Sequence, residues 1–184
     1  DTNFVIDLQQ GFQPTKRRRR SILKAEQNNV QVVEQKDFSE YWQKVLSPTL
    51  QSKFGVLPVH SLEEISDLQQ KFPKHIRQFN AFLEGEIVAG TTIFENLQVA
   101  HAQYIAANAT GKSVGAIDKV FEQLITTIYK DFRYFSFGIT NEQQGRYLNQ
   151  GLTEWKESFG AKLWIHNFYS INTQNYCLLK NFEC

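Results

Sequence analysis

Methionine is missing from the chain altogether, so Asp1 is not expected to be a translation start, and a fragment or processed chain is expected. Cysteine is nearly missing too. Cys177 and Cys184 stand close to the C-terminus, too few for a disulfide framework, so free thiols in a reducing cytoplasm are expected. Cys177, flanked by Tyr176 and Leu178, reads as a core residue rather than a nucleophile. The histidines His60, His75, His101 and His166 show no ligand spacing, so no metal is expected. Net charge is only +1, which excludes a polyelectrolyte binder of the histone-tail kind. No apolar run approaches the roughly 20 residues of a membrane span, and the N-terminus lacks the apolar stretch of a secretory signal. What is present is a core-forming composition: 41% hydrophobic and 14% aromatic, with fifteen phenylalanines. That excludes disorder, and 184 residues suit a single domain.

The chain is organised around Leu97 to Phe132. Leu97, Val99, His101, Gln103 and Ile105 alternate on one strand face, with Ala100, Ala102 and Tyr104 on the other. From Ile117 the period becomes helical through Val120, Phe121, Leu124, Ile128 and Phe132. Gly111 and Gly115 let the backbone turn between them and leave amides near a helix start, a seat for an anion such as phosphate. The alternative is an ordinary strand-to-helix connection that binds nothing. Gly111-Lys112-Ser113 resembles the end of a Walker loop, but Ala106 stands where that motif needs glycine, which excludes it.

Residues 1–14 carry an apolar patch, Phe4, Val5, Ile6 and Leu8, read as a short strand or as the end of a missing upstream domain; the main domain is expected to cover 15–184. Lys16 to Arg20 then place five cations at the start of a helix whose apolar side is Ile22, Leu23 and Ala25. The dipole disfavours cations there, so either a solvated face or a phosphate-rich partner is expected. Val30 to Gln35 reads as a strand. Asp37 with Glu40, and Ser61 with Glu64, form two capping-box patterns, and Ser47-Pro48 is expected to break or kink the first helix. His60 precedes the second cap, where it would orient the loop. Ile76 to Ile105 reads as a three-stranded meander turning at Glu84-Gly85 and Glu95-Asn96. A strand YFSFG, a loop ITNEQQGR, a helix from Leu148 to Phe159 and a strand KLWIHNFY close the chain. The expected class is α/β, a mixed sheet with helices on both faces.

This order resembles the GNAT acyltransferase superfamily, and several stretches resemble its Fem-like branch, which includes transferases that build peptidoglycan bridges. Arg19 to Ala25, RRSILKA, is similar to the Fem pattern R-x-N-I-x-K-A, with Ser21 for Asn. PVHSLEE, AHAQYIAA, YFSFGIT and LNQGLTEWKESFG extend the likeness from about Pro14 to Tyr169. The resemblance implies a GNAT-like, mostly antiparallel sheet and transfer of an acetyl or aminoacyl group to an amine. The donor would be acetyl-CoA, another acyl-CoA, or aminoacyl-tRNA. The acceptor would be a small molecule or peptidoglycan precursor, and a second GNAT-like domain would precede this one. The alternative is a non-catalytic half that binds a partner domain or a phosphate-bearing ligand. Of the pyrophosphate loop [QR]-x-x-G-x-[GA], only Gly111 matches, with Asn108 and Ser113 at the ends.

The resemblance assigns candidate roles. Gly111, Lys112, Ser113, Gly115 and Ala116 would hold the cofactor. His60, His101, Gln103, Tyr104, Asn149 and Arg19 would line the acceptor side. Tyr147 would protonate the leaving group and Glu142 would accept the amine proton. Lys156, in W-K-E-S-F where Fem proteins read F-K-x-x-F, would stabilise the tetrahedral intermediate. On helical spacing Leu148, Leu152, Trp155 and Phe159 would form a buried stripe, with Asn149 and Lys156 stacked along its edge. The plainer alternative for Lys156 is an exposed pair with Glu154 or Glu157.

Overall fold

The computed structural model describes residues 1–143, 145–170 and 172–174; Cys177 and Cys184 lie outside them. The chain runs β1 (Thr2–Asp7), α1 (Lys16–Gln27), β2 (Gln31–Gln35), α2 (Ser39–Tyr41), α3 (Ser47–Phe54), α4 (Leu62–Lys71), β3 (Ile76–Leu83), β4 (Glu86–Glu95) and β5 (Val99–Ala107). It continues through α5 (Ala109–Val114), α6 (Ala116–Gln123), β6 (Tyr134–Ile139), β7 (Asn141–Glu142), β8 (Tyr147–Leu148), α7 (Gln150–Glu157) and β9 (Lys162–Ile165). Seven strands form one sheet in the order β2-β3-β4-β5-β6-β1-β9. Every pair in it is antiparallel except β5 with β6. The expected mixed, mostly antiparallel sheet with a helical layer on each face is what forms.

Two cores hold the layers together. On one face Phe121 of α6 meets Phe135, Phe137, Trp155 and Phe159 edge-on, with ring centroids 5.0–5.8 Å apart, a geometry that adds to simple area burial. On the other, Phe38, Tyr41, Trp42, Val45 and Ile65 cover Ile76, Ile87 and Tyr104. The meander turns at Glu84 and Gly85, both with positive φ, the backbone a two-residue hairpin needs. Ser61 and Glu64 form the expected reciprocal cap of α4.

Other local expectations are corrected. Of the readings of residues 1–14 the strand forms: Phe4, Val5 and Ile6 are buried, and β1 lies between β6 and β9. Asp37 accepts from the backbone and hydroxyl of Ser39, while Glu40 pairs with Lys44 four residues on, so no capping box forms there. Pro48 does not end the helix. Trp42–Leu46 widens into a π-helical turn just before it, which accommodates a ring that would abut the carbonyl four residues back, and α3 runs on to Gly55. The loop 140–148 contains a two-stranded ribbon, β7 with β8. Helix α7 begins at Gln150 rather than Leu148. Leu148 and Leu152 are exposed, and the buried side of the helix carries Lys156 instead.

Candidate functional site

The site begins with a break in register. Thr92 of β4 faces Tyr104 of β5, yet Ile93 faces Ala102, which leaves Gln103 as the extra residue of a β-bulge. Side-chain alternation flips across it. Ala100 and Ala102 pack in one core, as do Ile105 and Ala107 beyond the bulge, whereas Tyr104 and Ala106 pack in the other. Regular alternation set Tyr104 on the face opposite His101; the bulge brings it to the His101 side. Burial lowers the His101 pKa and raises that of the Tyr104 phenol, and the neighbouring Gln103 amide works against both shifts. The Tyr104 hydroxyl lies 2.6 Å from His60 Nδ1 and accepts the His60 backbone N–H at 3.1 Å. His60, Tyr104, Gln103 and His101 therefore form one polar line, three of them on a single strand.

That line ends where two strands part. β5 and β6 pair in parallel over Val99–Tyr134, Ala100–Phe135 and His101–Ser136, although β5 continues to Ala107 and β6 to Ile139. Lys156 of α7 enters at this opening. It is 2% exposed, and its Nζ donates to the carbonyl oxygens of Gly138 at 2.9 Å and Ile139 at 2.7 Å. The exposed-pair reading of Lys156 is thereby overturned. Burial pushes its pKa down to about 8. An ammonium has three protons, so the two carbonyls leave one for a ligand. His101 Nδ1 lies 3.0 Å from Ser136 Oγ, and burial lowers its pKa, Gln103 acts against that shift, and the Lys156 charge adds to it. Gly138 has φ +73, which favours glycine, and a Cβ there would stand a tight 3.2 Å from His101 Cε1.

Glu142, Tyr147 and Asn149 come together beside the end of β6. Glu142 and Tyr147 face each other across the β7–β8 ribbon. Asn149 caps α7 through Leu152 N–H at 2.9 Å and donates to Glu142 at 2.7 Å. As a cap it lies outside the helix face, so it does not stack on a line with Lys156. Tyr147 is 54% exposed.

The glycine turn differs from its sequence reading. Residues 109–114 are helical, and the amides expected to be bare are engaged. Gly111 N–H donates to Asn108 Oδ1, Lys112 N–H to Asn108 O and Gly115 N–H to Lys112 O. The glycines serve close packing: a Cβ on Gly111 would sit 2.2 Å from Val88 O, and one on Gly115 2.6 Å from Ser21 O. Asp118, in the first turn of α6 after Gly115 and Ala116, is buried and paired with Arg18, and no side chain caps that turn. The amides of Gly111, Lys112 and Gly115 are thus spent inside the turn. Arg18 also donates to Ser158 Oγ and lies over the Phe159 ring at 4.3 Å. Lys16, Arg17, Arg19 and Arg20 remain exposed around it.

Sequence reasoning passed over Ser136, Gly138 and Asn3, and treated Arg18 only as one of a charge run. Ser136 had a signal, a small polar residue between two buried phenylalanines. Arg18 had one too, since Arg18, Ile22 and Ala25 share the inward face of α1.

No family model and no curated protein matches this sequence. Solved structures do match. FemX superposes with a TM-score of 0.70 at 9% identity, over 88% of this chain and 59% of FemX. The C-terminal domain of a putative lysylphosphatidylglycerol synthetase from Agrobacterium fabrum gives 0.63 at 12% identity, over 88% and 57%. An aminoglycoside acetyltransferase from an uncultured soil sample gives 0.52 at 16% identity, over 80% of this chain and 99% of that one. At such identities the likeness is one of fold, and the fold is GNAT-like. The chain spans under two thirds of the length of the first two structures it resembles.

Proposed function

We propose that this domain transfers an aminoacyl or acyl group from an activated ester to an amino group, with aminoacyl-tRNA the favoured donor. The observation that carries the reading is the parting of β5 and β6 with the buried Lys156 ammonium held on the carbonyls of the unpaired end of β6. An extended acyl chain can lie between two parting strands and bond their backbone. The carbonyl oxygen that becomes negative on attack would then meet the free proton of Lys156. A charge prepositioned in a water-poor site stabilises a tetrahedral intermediate strongly because little reorganisation is needed. His60, Tyr104, Gln103 and His101 line the acceptor side. Glu142 and Tyr147, on the ribbon just past β6, are assigned to proton traffic at the leaving group, and Asn149 orients Glu142.

Two observations favour a tRNA ester over CoA. The turn that would bind a pyrophosphate uses its amides internally, and the exposed cations Lys16, Arg17, Arg19 and Arg20 ring the Arg18–Asp118 pair beside it. Arg19 is assigned to a phosphate of the donor or of a peptidoglycan-precursor acceptor. Supporting the alternative, a non-catalytic half that binds a partner domain or a phosphate-bearing ligand, is the length of the longer structures it resembles. The test is a transfer assay with a mixed aminoacyl-tRNA pool or acetyl-CoA as donor and a lysine-containing peptidoglycan stem peptide or an aminosugar as acceptor. Transfer from aminoacyl-tRNA that Lys156→Ala lowers by orders of magnitude is the expected result. Transfer from acetyl-CoA alone would reassign the donor, and no transfer from either would leave the non-catalytic reading.

A further inference from the structure

Acyl transfer to an amine needs a group to take the amine proton; the sequence offered Glu142 for that role, and the geometry points to a different residue. We infer that His101 is the base that deprotonates the acceptor amine, through Nε2. The inference rests on the transferase reading above.

The argument is one of hydrogen-bond valence. Ser136 Oγ sits among three partners: it lies 3.0 Å from His101 Nδ1, accepts the Gly138 N–H at 3.2 Å, and donates to Asn3 Oδ1 at 3.1 Å. A hydroxyl has one proton, and here it goes to Asn3. The contact with the ring must therefore be a donation from Nδ1–H. Neutral imidazole carries one ring proton, so Nε2 holds a lone pair. Asn3, on β1, and Ser136, on β6, thus select the tautomer from outside the strand that carries the ring.

Placement makes that lone pair useful. His101 is the last residue of β5 paired to β6 before the strands part, and Gly138 leaves space against the ring edge. Lys156 lies beside it, on the carbonyls of Gly138 and Ile139. Base and oxyanion partner thus flank one opening. The groups facing the imidazole are Ser136 and Gly138 from β6, Lys156 from α7 and Gln103 from its own strand. Lowered basicity keeps the ring neutral and ready to accept near neutral pH. In the step, the amine nitrogen bonds to the acyl carbon and its proton passes to Nε2. The ester C–O bond then breaks, and the departing oxygen takes that proton back from the imidazolium by way of the Tyr147 hydroxyl. The proton and bond count closes with neutral His101 restored and no further reactant.

Two measurements decide it. In long-range 15N–1H spectra of the uncomplexed protein, His101 should appear as the Nδ1–H tautomer and Ser136→Ala should lose that preference; an Nε2–H tautomer in the wild type overturns the inference without touching the transferase reading. In the assay with aminoacyl-tRNA and the stem peptide, His101→Asn keeps a donor near Ser136 but has no base. It should fold with an unshifted melting temperature and lose roughly 10²- to 10⁴-fold in kcat, and its residual rate should lack the acid limb of the wild-type profile. A folded His101→Asn within fivefold of wild type overturns the base alone. A wild type that transfers nothing from either donor overturns the transferase reading and the base together.

Discussion

Lys156 shows how much one residue's meaning depends on surroundings that its neighbours in sequence do not reveal. Beside Glu154 and Glu157 it reads as a surface cation, yet it is 2% exposed and bonded to two strand-end carbonyls. Its charge is the form that can meet an oxyanion, so transfer should fall as pH rises through its pKa of about 8. The acid limb should come from His101, below the ordinary histidine range. Lys156→Ala should lower kcat by about 10²- to 10³-fold, whereas Lys156→Arg, always charged, should keep part of the rate and lose the alkaline limb. A pH–rate profile of the three proteins checks this. Stability gives an independent reading. Between about 8 and the ordinary 10.5, the unfolded chain binds more protons at this lysine than the folded one, so stability should rise with pH across that window. Denaturant melts at pH 7.5 and 10 should show the wild type gaining on Lys156→Met.

At the scale of elements, Arg18 ties α1 to α6 through Asp118 and to the residue after α7 through Ser158. Removing one partner of a buried ion pair leaves the other uncompensated, so Arg18→Met should destabilise by about 3–5 kcal/mol, and Arg18→Met with Asp118→Leu should recover most of it. Thermal and urea unfolding of the single and double variants measure this. A double variant as weak as the single one would mean that Ser158 and the Phe159 ring dominate. Element existence was legible wherever it rests on neighbours in the chain: the Ser61–Glu64 cap, the Glu84-Gly85 turn and the helical spacing from Ile117. The bulge at Gln103 was not legible, because a mismatch of register exists only between two strands. Alternation within β5 looks regular along the sequence, yet the polar line from His60 to His101 depends on its interruption. The length of α7 misled in a related way, since Leu148 continued a helical period while pairing in β8.

For the whole molecule, the donor question turns on charge arranged over one surface rather than on net charge. If the exposed cations of α1 meet tRNA phosphates, binding should weaken steeply with salt. Changing Arg17, Arg19 and Arg20 to Gln should then flatten the log–log slope by roughly 0.7 for each phosphate no longer neutralised. Fluorescence anisotropy of labelled tRNA at several salt concentrations tests it, and an unchanged slope would return the tract to a solvated face. A thermal-shift comparison is the companion test, because a ligand that binds only the folded state must stabilise it. Aminoacyl-tRNA is expected to raise the melting temperature, and CoA is expected to leave it unchanged, given the internally bonded amides at Gly111 and Gly115.

Taken alone, the sequence determined what local chemistry can determine: a core-forming composition, the meander, the Ser61–Glu64 cap and the principal helix. These follow from backbone preference and side-chain period, which act over a few residues. Tertiary structure alone decided that the first strand lies between β6 and β9, that β5 and β6 part after three residue pairs, and that Tyr104 shares a face with His101. It also decided that Arg18 pairs with Asp118, and that Lys156 is buried. Each of these depends on a partner distant in the chain. Register, desolvation and hydrogen-bond valence are properties of the pair, and a single strand or helix does not carry them.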